Sequence, residues 1–186
     1  MANVIKPDIN VVKQIISSGG ESLKKCYQCA TCSVVCNLSP DDNPFPRKEM
    51  INAQWGLKDR LVSDPNIWLC HQCSDCTAYC PRGAKPGEVI GAVRKMTIAH
   101  YAVPGFLAKM VGNIKYLPLL IAFPVLFFLA VLGATGHLNI PQGEIVFGHF
   151  LPHTHVDAIF VPVAMFAALV FACGVIRFWK DIHGQN

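Results

Sequence analysis

The sequence predicts a mainly α-helical protein, and three observations support this fold class. Two runs of four cysteines share the spacing C-x2-C-x2-C-x3-C, which indicates a repeated unit. The segments around them carry helix signals, with capping residues before amphipathic stretches and glycines after them. The last third contains two apolar stretches of about 22 residues, each long enough to cross a bilayer as a helix.

Charge divides the 186 residues into a polar part and an apolar part. Residues 1–115 carry fourteen Lys/Arg and nine Asp/Glu, whereas residues 116–176 contain no Lys or Arg. The net charge of +4 is modest and forms no basic stripe, which disfavours nucleic-acid binding. The sequence has no G-x-G-x-x-G fingerprint, so a flavin or nicotinamide on a Rossmann domain is not expected.

Local signals place three helices in the polar part. One is expected over residues 8–18, with Asp8 as its N-cap and a Gly-Gly pair after it. A second is expected over residues 47–55, stopped by Gly56, after a loop rich in turn formers. A third, over residues 86–101, opens with proline and carries an acid in its first turn.

Eight of the nine cysteines belong to the two runs. Their spacing is typical of thiolates that hold a cubane iron–sulfur cluster, and its duplication predicts two [4Fe–4S] clusters. In such a pair the fourth cysteine of each run ligates the cluster of the other run. Cluster 1 is therefore assigned to Cys26, Cys29, Cys32 and Cys80, and cluster 2 to Cys70, Cys73, Cys76 and Cys36.

Disulfides and zinc are the alternatives for these cysteines. The N-terminal residues lack an apolar signal-peptide core, which predicts a reducing compartment, where thiols favour metals over disulfides. Zinc sites usually draw on two separated ligand pairs, whereas here four sulfurs fall within eleven residues, twice. Cys173 lies alone in an apolar stretch and is expected to be a packing residue.

Residues 117–138 and 158–179 are the predicted transmembrane spans, joined as a helical hairpin. The loop between them, 139–157, contains no Lys or Arg, whereas basic residues flank the outer ends of both spans. The positive-inside rule therefore predicts a multi-pass protein of the cytoplasmic membrane with both termini cytoplasmic. The predicted domains are a two-cluster domain (1–100), an interfacial amphipathic linker (101–116) and the hairpin (117–186).

Four histidines at or in this loop are candidate contacts for a haem b or a quinone headgroup: His137, His149, His153 and His155. A b-type haem needs axial histidines on facing helices, and neither span has a histidine in its middle, so solvated loop residues are the alternative. Basic residues beside the cysteine runs are candidates for raising the cluster potentials or docking an acidic partner: Lys24, Lys25, Arg82 and Lys85.

The quoted residues resemble known families. Over residues 1–100, CYQCATCSVVC, PRKEMINAQWG and WLCHQCSDCTAYCPRG resemble the C subunits of heterodisulfide reductases. The segments KYLPLL, GHLNIPQGEIVFGHFLPH and RFWKDIHG resemble the QmoC family, the membrane subunits of the quinone-interacting membrane-bound oxidoreductases of sulfate reducers. The resemblance implies an α-helical ferredoxin-like two-cluster domain followed by a two-helix transmembrane hairpin.

The resemblance also implies partners. These are flavin and iron–sulfur subunits of the QmoA and QmoB type, the menaquinone or quinone pool, and an indirect link to adenylylsulfate reductase. QmoC members carry a further haem-b membrane domain, so either this chain is a short relative or that domain is expected on another chain.

The expected function is therefore a membrane-anchored electron-transfer subunit without a substrate site of its own. It relays electrons between membrane quinol and flavin and iron–sulfur subunits that serve sulfate reduction. One alternative is a subunit of a heterodisulfide-reductase-like complex. Another is a structural membrane anchor whose clusters only brace the fold.

Overall fold

The computed structural model describes residues 5–136 and 153–184. Within these residues the protein is mainly α-helical and has no β-strand, which confirms the predicted fold class. The described helices are α1 (Ile9–Ser17), α2 (Thr31–Val34), α3 (Arg47–Trp55), α4 (Lys58–Val62), α5 (Asp75–Ala78), α6 (Pro86–Tyr101), α7 (Gly105–Val111), α8 (Leu117–Ala134) and α9 (His153–His183). Short 3₁₀ turns cover Glu21–Lys25, Pro65–Trp68 and Ile114–Tyr116.

The chain divides into two compact units. The cysteine unit contains the described residues up to Tyr101 together with those from Arg177 onward, so the end of α9 belongs to it. The apolar unit contains the described residues from Ala102 to Ile176.

Helices α1 and α3 begin and end where the sequence predicts. The Asp8 carboxylate accepts the Asn10 N–H at 2.8 Å, a cap that contributes about 1 kcal/mol. Helix α3 ends at Gly56, whose φ is +65°. A Cβ there would collide with the Asp8 carbonyl, beside the bond from Asp8 N–H to Trp55 O at 3.2 Å. Both the φ angle and the close approach of α1 therefore require glycine.

Helix α6, also bounded as predicted, is the centre of the cysteine unit. It packs against α1, α3, α4 and α5, and its apolar side chains Val89, Ile90, Val93 and Met96 are buried in the common core. Because α5 carries one cysteine and the 3₁₀ turns before both runs contact α6, this helix connects the core to the cysteine loops.

The end of α6 also holds the end of α9. The Tyr101 hydroxyl donates to the Asp181 carboxylate at 2.9 Å, and its ring meets the Phe178 ring edge-on at 5.3 Å. Burial, reinforced by the Asp181 carboxylate, raises the pKa of Tyr101, so the phenol stays protonated and can donate. The last two turns of α9 are thereby part of the cysteine unit.

Helix α3 buries an acid. The Glu49 side chain is 1% exposed, and neither carboxyl oxygen has a hydrogen-bond partner among the described residues. Burial raises the pKa of Glu49 to about 8, although Lys48 Nζ lies 3.9 Å away and opposes the shift. That ammonium pairs more closely with Asp64, at 2.6 Å. The raised pKa favours the protonated, uncharged form of Glu49 at neutral pH.

The apolar unit contains two helices, Ile114–Ala134 and His153–His183, that are long and apolar enough to cross a membrane. Phe128 on the first stacks on Phe160 of the second, with ring centroids 6.2 Å apart. No residue in the most apolar window of either helix is buried, so both present apolar side chains outward. This arrangement is compatible with a lipid environment by length and composition alone.

The described helices differ from the predicted spans at their inner ends, while the membrane spans themselves stay a prediction. Helix α8 ends at Ala134, before Gly136 with a φ of +74°, whereas the first span was expected to reach residue 138. Helix α9 begins at His153, whereas the loop was expected to continue to residue 157. Hydropathy detects where a stretch becomes apolar, and a helix can start several polar residues earlier. Residues 137–152 lie outside the described chain.

Candidate functional site

The two cysteine runs form loops of the same backbone shape. Gln28 and Ala30 in the first run, and Gln72 and Ser74 in the second, have φ angles of +70°, +68°, +56° and +72°. The left-handed region costs a residue other than glycine roughly 1–2 kcal/mol. Each loop leads into a one-turn helix, α2 or α5, that carries the third cysteine, and these helices contact each other. Strain repeated at matching positions indicates a functional constraint.

The first cavity is lined by the thiols of the set assigned to cluster 1. Three come from the first run and the fourth comes from the end of the second: Cys26, Cys29, Cys32 and Cys80. The cavity encloses about 360 Å³, part of it open to solvent. Arg47 and Arg82 also line it, and the Arg82 guanidinium lies 5.4 Å from the centre of the Tyr27 ring.

The second cavity is lined by the thiols of the other set, Cys70, Cys73, Cys76 and Cys36. It encloses about 500 Å³, again partly open to solvent. Phe45, His71 and Asp75 also line its wall. The structure thus brings each predicted set of four cysteines to one cavity, with one member of each set supplied by the other run.

Each loop is held at matching carbonyls by a side chain from a longer helix. Gln54 of α3 donates to the carbonyl oxygen of Leu23 at 3.2 Å and to that of Cys26 at 2.6 Å. Arg94 of α6 donates to the carbonyl oxygen of Ile67 at 2.7 Å and to that of Cys70. In both runs the carbonyls belong to the first cysteine and to the residue three positions before it. The neutral amide of Gln54 and the cationic guanidinium of Arg94 therefore hold the two loops at equivalent carbonyls.

The thiols of the inward-facing cysteines have raised pKa values, so without a nearby positive charge they do not readily become thiolates. Burial raises the pKa of Cys32 to about 11, with further contributions from Cys26 and Cys76. Burial also raises the pKa of Cys76, although a hydrogen bond from the Gly87 N–H opposes the shift. The exposed Cys29 differs, because the hydroxyl and N–H of Thr31 lower the pKa of its thiol. Iron would supply the positive charge that four crowded thiolates need.

The arrangement of the thiols in both cavities suits a cluster better than a single metal ion. Within residues 5–136 and 153–184, no three His, Cys, Asp or Glu side chains converge as one metal ion requires. The thiols instead surround a space, which suits a cubane whose four irons each take one cysteine. In the first cavity, the buried Arg47 Nε has no hydrogen-bond partner among the described residues and can donate to an anionic ligand.

Sequence reasoning missed the residues that come from other helices. Arg47, Gln54 and Arg94 lie eleven or more positions from the nearest cysteine, and no local pattern ties them to a cavity. Gln28 and Gln72 could have been noticed, because both runs read Cys-x-Gln-Cys. Of the basic residues that were singled out, Arg82 lines the first cavity, whereas Lys24 and Lys25 are exposed and Lys85 pairs with Glu88 at 2.9 Å.

The candidate haem or quinone contacts are only partly covered by the structure. His153 and His155 are exposed in the first turn of α9, whereas His137 and His149 lie outside the described residues. Two residues two positions apart on one helix project in different directions, so His153 and His155 cannot ligate the same haem from its two faces. The haem prediction therefore depends on the two undescribed histidines.

Comparison with known proteins agrees with this geometry. Residues 22–84, which contain both runs, match the family model of a 4Fe-4S dicluster domain. The C subunit of the H(2):CoB-CoM heterodisulfide,ferredoxin reductase of Methanothermobacter marburgensis is 37% identical over 105 residues, covering 52% of this chain and 56% of that protein. A protein of Archaeoglobus profundus named for its likeness to the C subunit of heterodisulfide reductase is 36% identical over 94 residues, covering 50% and 48%.

A third relative has a different name. Citrate utilization protein B of Escherichia coli is 34% identical over 124 residues, which cover 61% of this chain and 32% of that protein. The chain spans about half the length of the two heterodisulfide reductase relatives. The predicted resemblance to the C subunits of heterodisulfide reductases is thus confirmed, whereas the likeness to QmoC stays a prediction.

Proposed function

We propose that this chain is an electron-transfer subunit that holds two [4Fe–4S] clusters. The observation that carries the proposal is the crossed pairing of the cysteines, since each predicted set of four thiols lines its own cavity. The match to a dicluster domain supports the same cofactors. When bound, such clusters supply one-electron transfer without a general base or a nucleophile.

The residues of the chain act by holding ligands and excluding water. The left-handed loop residues turn successive cysteines toward one cavity, and Gln54 and Arg94 keep the loops in that shape. The contact between α2 and α5 holds the two cavities close together in one unit. This proximity is what electron exchange between two bound clusters requires.

The apolar unit gives the proposed carrier a membrane anchor. Both candidate spans are unburied in their most apolar windows, and Lys115 and Arg177 lie within them near their outer ends. With cytoplasmic termini, the cysteine unit lies at the cytoplasmic membrane surface, and α7 lies in the interface. There it relays electrons between menaquinol and flavin and iron–sulfur subunits of the QmoA and QmoB type, upstream of adenylylsulfate reductase.

A second candidate function is supported by the relatives. Because C subunits of heterodisulfide reductases match the cysteine region at 36–37% identity, the chain is alternatively the electron-transfer subunit of a heterodisulfide-reductase-like complex. Both functions use the same two clusters. They differ in whether a quinol reduces them.

The test uses the full chain, purified anaerobically from membranes in mild detergent and free of other iron–sulfur subunits. Iron and acid-labile sulfide near eight each per chain are expected, and menaquinol analogue should produce the EPR signals of two reduced clusters. Reoxidation of the reduced clusters by a disulfide at a partner subunit, which takes one electron from each cluster and becomes two thiols, would support the heterodisulfide-reductase-like function if quinol does not reduce the clusters. Zinc in place of iron, or less than half the expected iron, would refute cluster binding. Clusters that no reductant reduces would support the alternative in which the clusters only stabilise the fold.

A further inference from the structure

The charged groups around the two cavities differ although the loops are alike. Arg47 and Arg82 line the first cavity. Among the described residues that line the second cavity, Asp75 carries a negative charge and none is Lys or Arg. The difference in formal charge between the two walls is therefore three units, counting the histidine as neutral.

Arg47 is the more effective of the two cations. Its side chain is half-buried, and its Nε is buried without a hydrogen-bond partner among the described residues. A charge removed from water acts across a lower effective dielectric and is less screened by salt. Arg82 is exposed and stacked on Tyr27, so solvent weakens its field.

The hydrogen bonds to sulfur differ in the same direction. Two positions after the second cysteine, the first run has Thr31 and the second run has Asp75. The Thr31 hydroxyl lies 3.3 Å from Cys29 Sγ and can donate to a thiolate. A carboxylate side chain has no proton to donate, so the Asp75 side chain does not replace the hydroxyl donor that Thr31 provides. Donors to sulfur and positive charge raise the potential of an iron–sulfur cluster.

Two groups near the second cavity act against this difference in charge and hydrogen bonding between the cavities. Arg94 lies behind Cys70, and the Gly87 N–H at the start of α6 donates to Cys76. Arg94 has its Nε and one terminal N–H committed to chain carbonyls and does not line the second cavity. Its charge roughly cancels that of Asp75, which leaves the second cavity near neutral and the first with two cations. The helix N-terminus adds only a partial charge.

We propose that cluster 1 has the higher reduction potential of the two, and that Arg47 is the residue that sets the difference. This inference rests on the proposed function, because it requires both clusters. Each reduction adds one electron and one negative charge to a cluster that exchanges no proton. Arg47 stabilises that added charge at the first cavity, whereas none of the described residues that line the second cavity is Lys or Arg.

The experiment is a potentiometric EPR titration of the full chain, purified free of other iron–sulfur subunits, at fixed pH and ionic strength. Dithionite supplies one electron per cluster and is oxidised to sulfite. Arg47→Gln should shift the higher of the two midpoints to more negative values and leave the lower one nearly unchanged, whereas Arg47→Lys should retain most of the wild-type separation. Asp75→Asn should raise the lower midpoint by a smaller amount, because Asp75 is exposed.

Arg60→Gln is the matched control, since Arg60 is exposed and lines neither cysteine cavity. It should leave both midpoints in place. If two clusters are present but Arg47→Gln moves the lower midpoint, or moves neither, the inference is wrong while the proposed function stands. If Arg47→Gln loses a cluster, Arg82→Gln should lower the higher midpoint and Asp75→Asn should raise the lower one, and shifts in the opposite directions would overturn the inference. Absence of two reducible clusters in the wild type refutes the proposed function instead.

Discussion

The two cysteine loops share one backbone and differ in their surroundings. Both have left-handed residues at matching positions, and both have the carbonyl of their first cysteine held by a side chain from another helix. The first loop is held by neutral Gln54 and faces the cationic Arg47, whereas the second is held by cationic Arg94 and faces Asp75. Ligand geometry thus constrains the backbone, while the neighbouring side chains are free to set the electrostatics.

The largest expected effect tests whether the fourth cysteine of each run ligates the cluster of the other run. Serine is a poor ligand for iron, so Cys80→Ser should remove the same EPR signal as Cys29→Ser, and Cys36→Ser the same signal as Cys73→Ser. Iron should fall from about eight to about four atoms per chain in each variant. Cys173→Ser, outside both cavities, is the control and should keep all the iron. If Cys80→Ser instead removes the signal that Cys73→Ser removes, the assignment of ligands is wrong.

The next effect separates the roles of Gln54 and Arg94, the side chains that hold the first and the second loop. Gln54→Ala leaves two carbonyl oxygens of the first loop without their donor, and Arg94→Ala does the same in the second, at a cost of about 1–3 kcal/mol each. Cluster 1 should therefore decay faster in the first variant and cluster 2 in the second, measured by EPR during exposure to a chelator. Gln14→Ala and Lys95→Ala change exposed residues on α1 and α6 and should decay as the wild type. If either variant loses both signals at the same rate, Gln54 and Arg94 do not hold the two loops independently.

A pH effect tests whether Glu49 carries a negative charge that offsets the positive charge of Arg47, two positions earlier in the chain. The folded pKa of about 8 exceeds the reference value of 4.5, so between these values the folded protein holds a proton that the unfolded chain lacks. Stability should fall from about pH 5 to about pH 8, by at most about 1.4 kcal/mol per pH unit. Glu49→Gln should flatten this profile in urea unfolding followed by circular dichroism. An unchanged slope would mean that Glu49 is ionised and partly cancels Arg47.

The smallest effect compares the strain in the two loops. Ala30→Gly and Ser74→Gly should each stabilise the protein by up to about 1 kcal/mol, since glycine adopts positive φ without steric cost. Ala99→Gly on the exposed side of α6 should have the opposite sign, because glycine is a poor helix former. Denaturant unfolding of the cluster-loaded protein measures all three. A loop variant that is destabilised like Ala99→Gly would show that the loop is not strained.

Much of the polar half could be predicted because its signals are local. Asp8, Gly56 and the proline at the start of α6 mark helix ends through hydrogen bonds and φ angles within a few residues. The sets of thiols followed from a spacing rule, and each set lines one cavity, although ligation itself stays a prediction. Helix α9 begins before the predicted span because hydropathy does not register a polar first turn, whereas α8 ends earlier than its span, before Gly136 with its positive φ.

By itself, the sequence determined the helical class, the bounds of α1, α3 and α6, and the eight clustered thiols, since capping, periodicity and cysteine spacing act over short distances along the chain. Only the tertiary structure decided which charges face each cavity. Arg47, Gln54 and Arg94 reach the loops through the packing of α3 and α6, and the end of α9 joins the cysteine unit through Tyr101. Such contacts join residues 24 to 80 positions apart, where no local pattern specifies a partner.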